Sequence, residues 1–594
     1  MLPQSTANLS FTGEAAGAHL FGGNVLAPRG DMTGPGSYAE AVQDLNVTGL
    51  RYPGGSLTET LFDISNPDAS TATHADTGEV TEFIPISGFM SYAEENGQAV
   101  TIVIPTRFEL SDEVDEQGNR MPEIDEEALR DFIHEVASGT YGDAEIRGFE
   151  IGNEYWGSGQ MNAVEYGRLA AEMATIIDDE LRLVSEIHEI DTSEMSVLAQ
   201  MGHNYNHSCL SEEYEDCSPE EVLADLAERY PEMEISDDLT YGSGNINWTA
   251  VNNELIRMSF DTEQEIESLD GVIAHVYTRG TDFSRYNDLD MIDRIWLSEE
   301  EFEELEIHVT EWNLKSGTDL DRHEDYGLFQ AHDMLNTVEE FMAAGVDQAH
   351  VWPLIQNTSN PLCTGFEYSE SSAPGKMFSM MSENLPGKTM LDFTPGGDRQ
   401  TEIRGETLDL HAFASPDEMV LYLASTSDQS EVTDVDLSGL VAGFSEMEIS
   451  VLGVCEGEQS GSSYADSHIN ECNAEDIFRD GTLEVDLAPG EIMQVVIRDL
   501  VPTESFGEVL ATLMPVDDVL PEGIGETELP MDEDILSPSE SSDDSILGIP
   551  TVPVVEEEEE FQPDEPDEDS GGDEWGGIAF ALALLPLLAL FGMS

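Results

Sequence analysis

The sequence predicts an α/β protein: a (β/α)8 TIM barrel followed by an antiparallel β-sandwich, an acidic linker and a hydrophobic C-terminal segment. Three observations predict it. Residues 1–355 alternate short apolar runs with helical patterns, and eight of those runs have strand character. Residues 390–500 change to short strands separated by turn residues. Beyond residue 500 the composition turns to Pro, Ser, Asp and Glu.

The strands follow in order. A short apolar run ends at Asn24. The run GLRYPGG holds Arg51-Tyr52-Pro53-Gly54-Gly55, and AVTIVIPT (99–106) is rich in β-branched residues, as a strand buried on both faces is. EIRGFEIGNE (145–154) and MSVLAQMG (195–202) come next, then GVIAHVYT (271–278), EIHVTEWN (306–313) and AHVWPL (349–354). Helical patterns separate most of them. In the last, Leu328, Ala331, Leu335, Val338 and Met342 step by three and four residues, which marks one helix face. The expected domains are a barrel over 1–389, a sandwich over 390–500, an extended linker over 501–574 and a tail over 575–594.

Charge narrows the partners. The 594 residues include 125 Asp and Glu against 21 Lys and Arg, a net charge of −104. Nucleic acid is excluded as a partner, because phosphate binding needs clustered cations. Such a surface repels itself in dilute buffer, which fits either a saline habitat or solubility alone. Five cysteines suggest Cys209–Cys217 and Cys455–Cys472 disulfides, with Cys363 free. The opening MLPQSTANLS has neither a basic n-region nor an apolar h-region, so export by another route or a start further upstream is expected. The last 20 residues, WGGIAFALALLPLLALFGMS, carry no charge and follow an acidic spacer. They are expected to anchor the protein to a membrane, at the cell surface or outside the cell; a buried terminal helix is the alternative.

In a TIM barrel the chemistry sits at the C-terminal ends of the strands. Glu154 ends the fourth strand and Glu311 lies near the end of the seventh. A carboxylate that follows a buried run costs several kcal/mol unless a cleft solvates it or hydrogen bonds satisfy it. Two such groups across one barrel mouth suit glycosidic cleavage, which needs a proton donor and, with retention, a nucleophile about 5–5.5 Å away. Such chemistry needs no metal and no organic cofactor.

These segments resemble the clan of retaining glycosidases whose acid/base follows Asn on strand four and whose nucleophile ends strand seven. The chain is most similar to the α-L-arabinofuranosidase, β-xylosidase and heparanase-like families, over roughly residues 15–500. Arg51-Tyr52-Pro53-Gly54-Gly55, Gly152-Asn153-Glu154, His275-Val276-Tyr277 and Glu311-Trp312-Asn313, with the trailing sandwich, carry the likeness. The resemblance implies a carbohydrate substrate, with Glu154 as acid/base and Glu311 as nucleophile. It implies that Asn153 binds the hydroxyl beside the anomeric carbon and that Tyr277 hydrogen-bonds Glu311. It also implies that His275 lines the site near Glu154, that Arg51 keeps Glu311 ionised and that Glu154 has a raised pKa.

Blander readings stand beside these. Arg51 could be a structural ion pair, His275 and Tyr277 core residues, and Gly54-Gly55 only a turn. Trp156, Trp312 and Trp352 are candidate sugar platforms or packing residues, and His203, with Asn204 and Asn206, could extend the subsite. Two positions depart from arabinofuranosidases of this type: Ser56 stands where they carry Asn, and Gly23-Asn24 where they carry Glu. A binding or adhesion protein on the same barrel is the competing function. A calcium-binding surface protein is a third, but the chain lacks the acidic loop and the nonapeptide repeats that such proteins use.

Overall fold

The structure is a computed structural model, and it describes residues 9–280, 287–317, 320–393 and 401–513. All eight expected barrel strands are present: β1 (Gly22–Asn24), β2 (Gly49–Tyr52), β3 (Ala99–Ile104), β4 (Ile146–Ile151), β5 (Ser196–Gln200), β6 (Gly271–Thr278), β7 (Glu306–Leu314) and β8 (Gln348–Val351). They close in sequence order, each parallel to its neighbours, and β8 returns to β1 through Val351 opposite Gly23. Every residue of β3 and of β5 is buried, as interior barrel walls require. The long helix Ala163–His188 starts from a capping box, Asn162 with Glu165, and lays fifteen residues into the core.

The helix Leu328–Ala344 is buried nearly all round, not along one face only. Its apolar stripe meets the barrel. Its polar side meets the sandwich, where the Glu339 carboxylate lies 2.9 Å from His411 Nδ1. The sandwich therefore covers the polar side of this helix.

Eight antiparallel strands form its main sheet, and the first, Ser10–Thr12, comes from the start of the chain and pairs with Thr389–Asp392. A smaller sheet built on Glu431–Asp436 and Thr482–Leu487 packs into the same apolar core. Strand Val501–Pro502 and helix Glu504–Leu510 continue this unit past residue 500, with Phe506 and Leu510 buried. The remainder of the expected linker and the uncharged tail lie outside the described residues. Among the described residues no helix is long and apolar enough to cross a membrane.

The expected disulfides are not formed: all five cysteines are free thiols. For Cys455 and Cys472 the reason is register. Cys472 pairs with Ile449 at one end of a hairpin, whereas Cys455 follows Val454, which pairs with Ser467 at the other end. At about 3.3 Å per residue, the ladder holds the two thiols far beyond disulfide reach.

Candidate active site

Arg51, at the end of β2, organises the barrel mouth from below. Its guanidinium is fully buried and forks onto both oxygens of Glu150, at 2.7 Å each. Further N–H groups donate to Asn24 Oδ1 at 2.9 Å, Asn153 Oδ1 at 2.8 Å and Glu311 Oε1 at 2.9 Å. Burial alone would lower its pKa, but the charges of Glu150 and Glu311 outweigh it and raise the pKa. Arg51 is thus both things the sequence suggested, a structural ion pair and the cation beneath Glu311.

Glu311 faces this cation because β7 carries a bulge. Ala274 pairs with Val309 and His275 with Glu311, so Thr310 is an extra residue. Strict alternation after Thr310 would point Glu311 outward; the bulge turns it inward instead. Its second oxygen accepts a 2.7 Å hydrogen bond from Tyr277. Burial and the charge of Glu311 hold the Tyr277 hydroxyl well above the ordinary phenol pKa, so it remains a donor.

The same bulge overturns one expectation. Trp312 is not a sugar platform. It turns away from the cleft, fully buried, with its ring 5.4 Å from Phe341 and 6.3 Å from Phe378 on the surrounding helices.

Glu154 stands just past β4 in a left-handed conformation, φ 44°, with about a third of its side chain exposed. His275 Nδ1 lies 3.5 Å from Glu154 and 3.8 Å from Glu311, while its Nε2 lies 3.2 Å from Thr310. Oxygens of the two carboxylates and a nitrogen of His275 lie within 4.8 Å of one another. Among the described residues this trio is the group tight enough to hold a cation, and Glu311 within it already accepts hydrogen bonds from Arg51 and Tyr277.

The expected rise in the Glu154 pKa is not found. Burial pushes it up, but the hydrogen bond and charge of His275, with His203 and Arg51, outweigh burial and lower it. His275 is the counterpart: burial lowers its pKa, and Glu311 and Glu154 together raise it. The pair holds its proton mainly on the imidazole.

Asn153 is buried, with Oδ1 on Arg51 and its backbone N–H on Glu59, while its Nδ2 has no partner. The Trp352 ring, half-buried at the end of β8, lies where a Cβ on Gly55 would come within 2.5 Å. Trp156 is buried, edge-on to His203 at 4.5 Å and His275 at 6.4 Å, so it wedges those rings and offers no open face. His203 is buried behind Glu154, and burial lowers its pKa.

Sequence reading passed over Glu150 and Glu59. Glu150 is the fully buried counter-ion of Arg51, and Gln200 also reaches it at 3.1 Å. The signal was present: an acidic residue in the middle of an apolar strand. Glu59 accepts backbone N–H bonds from Thr106, Arg107 and Asn153, tying the ends of β3 and β4 together. Nothing local in TETL announces that role. Asn24 is locked inside the barrel, its amide on the carbonyls of Thr310 and Val351, and Ser56 is exposed.

No protein family matches the sequence, and neither does any curated protein. Solved structures do match the fold. A family-51 arabinofuranosidase from Xanthomonas axonopodis pv. citri aligns with a TM-score of 0.50 at 14% identity, over 82% of this chain and 99% of that one. A family-51 α-L-arabinofuranosidase from Bifidobacterium longum gives 0.51 at 13%, over 82% and 98%. The chain shares their barrel-and-sandwich fold over nearly their whole length.

Proposed function

We propose that this protein hydrolyses O-glycosidic bonds in an oligo- or polysaccharide with retention of configuration. One observation carries the reading: Glu154 and Glu311, from β4 and β7, bring carboxylate oxygens within 4.8 Å across the barrel mouth. Arg51 and Tyr277 each donate a hydrogen bond to one oxygen of Glu311 and so fix its orientation, which a nucleophile needs. Glu154 has a proton source in His275 and is partly open to an incoming substrate.

The steps balance without a further reactant. Glu311 attacks the anomeric carbon while Glu154 gives its proton to the departing oxygen, so the C–O bond breaks and a glycosyl ester forms. Glu154, now a carboxylate, takes a proton from water. The resulting hydroxide attacks the same carbon and frees Glu311. The unpartnered Nδ2 of Asn153 supports a hydrogen bond to the hydroxyl next to the anomeric carbon, one that strengthens in the transition state. The half-buried face of Trp352 supports a stacked sugar ring. The buried Asn24 and exposed Ser56 argue against carrying over arabinofuranose as the sugar. The acidic spacer and uncharged tail support attachment to the cell surface, tested by deleting residues 575–594 and following the protein between membrane and soluble fractions.

A panel of aryl glycosides in salt, run with Glu154→Ala and Glu311→Ala, tests the reaction. Cleavage of one sugar, lost in both variants, is expected. Azide should rescue Glu311→Ala with an inverted glycosyl azide. Folded protein that cleaves neither aryl glycosides nor polysaccharide would favour a carbohydrate-binding role, and activity that survives loss of Glu311 would overturn the site.

A further inference from the structure

We infer that the loop after β5 is the leaving-group subsite, with Tyr205 as its stacking platform and Asn206 as its polar contact. The inference rests on the glycosidase reading and deepens it. Because Glu154 protonates the bridging oxygen, the sugar that departs must lie on the side of Glu154 away from Arg51, Tyr277 and Glu311. Asn206 approaches Glu154 beside Gly157, and His203, whose charge reaches Glu154, carries Tyr205 on its outer face.

Three buried-to-exposed rings form a column on that side. Trp156 sits at the base, His203 packs edge-on to it at 4.5 Å, and Tyr205 stacks on His203 at 5.7 Å with 21° between the planes. The first two are buried, whereas Tyr205 is 61% exposed. An aromatic ring supported from below and open above presents a fixed apolar face of the kind sugar rings stack on. Beside it, Gly157 keeps a gap open. A Cβ there would stand 3.9 Å from both Glu154 Oε2 and Asn206 Nδ2, so the acid and the amide flank one small space. A sugar whose bridging oxygen meets Glu154 would bring its neighbouring hydroxyls to Asn206.

The loop is held in shape before any ligand arrives. The His207 N–H donates to the Trp156 carbonyl at 3.1 Å, and Asn204 Oδ1 accepts the Leu210 N–H at 2.8 Å. Ser208 Oγ donates to Asn252 Oδ1 at 2.9 Å, on the helix Trp248–Arg257. Asn206 itself adopts a left-handed backbone, φ 43°, which asparagine tolerates well. Such preorganisation favours binding, because little ordering entropy remains to be lost.

The test compares leaving groups. For the sugar the aryl panel selects, its disaccharide fills the subsite, whereas its glycosyl fluoride releases a single atom that does not. In Tyr205→Ala the ratio of kcat/KM for disaccharide to that for fluoride should fall about five- to tenfold, the range of one aromatic contact. Asn206→Gly, which keeps the left-handed backbone and removes the amide, should lower the ratio in the same direction. Tyr205 is exposed, so its truncation leaves the core intact, and thermal midpoints check both variants. If both variants change the ratio by less than about twofold, the subsite is overturned while the glycosidase reading stands. If the wild type cleaves neither substrate, both fall together.

Discussion

Two residues, Arg51 and His275, contact the two carboxylates that the proposed chemistry needs. Arg51 satisfies Glu150, Glu311, Asn24 and Asn153 at once, using a planar fork of donors. Lysine keeps the charge but has three donors on one atom and cannot reach all four partners. Arg51→Lys should therefore destabilise the fold by about 3 kcal/mol, read from urea unfolding, since at least one buried carboxylate oxygen is left unpaired. His275 and Glu154 titrate as a pair, so the basic limb of kcat/KM reports loss of their shared proton and follows the more basic member. That member is His275, held above its ordinary 6.5 by Glu311 and Glu154. His275→Gln leaves Glu154 to titrate alone as a carboxyl, and the basic limb should move to lower pH. A limb that stays in place would mean that the imidazole does not supply the proton.

At the scale of elements, the turn after β2 shows how backbone shape sets a side chain. Gly54 and Gly55 have φ of 93° and 56°, and a Cβ on Gly55 would stand 2.5 Å from the Trp352 ring. Gly55→Ala should cost about 1–3 kcal/mol and raise KM by displacing that ring. The double variant with Trp352→Phe should recover part of the stability, because a smaller ring leaves room, and thermal unfolding measures both. The eight barrel strands were legible because parallel strands buried on both faces must be continuous apolar runs. Glu154, Tyr277 and Glu311 were legible because each lies at or near the end of such a run; Arg51, Asn153 and His275 were legible only through the motifs that carry the family resemblance. The bulge at Thr310 was not: one inserted residue changes no composition, yet it decides that Glu311 faces the cleft and Trp312 the helices. The polar face of helix Leu328–Ala344 was equally silent, since its partners, including His411, lie in the sandwich far along the chain. The Cys455–Cys472 disulfide failed because proximity in sequence says nothing about register in a hairpin.

For the whole molecule the dominant quantity is the net charge of −104. With 21 cationic side chains against 125 acidic ones, most surface carboxylates have no cation to pair with, and exposed pairs contribute little in any case. Folding therefore concentrates like charge, and the unfolded chain relieves it. Salt should act on this term in proportion to screening, which shortens from about 10 Å at 0.1 M to about 3 Å at 1 M. The Arg51 cluster responds differently, because its ion pairs are buried and salt reaches them far less. The thermal midpoint should accordingly rise between ~0.05 and ~1 M NaCl and then level off, while KM for a neutral glycoside measured on folded protein stays nearly constant. KCl at equal ionic strength should match NaCl, since screening depends on charge and concentration, not on ion identity. A midpoint that is flat across this range would mean that the acidic surface serves solubility alone. A KM that moved with the midpoint would instead place unscreened surface charge close enough to the barrel mouth to act on the bound sugar.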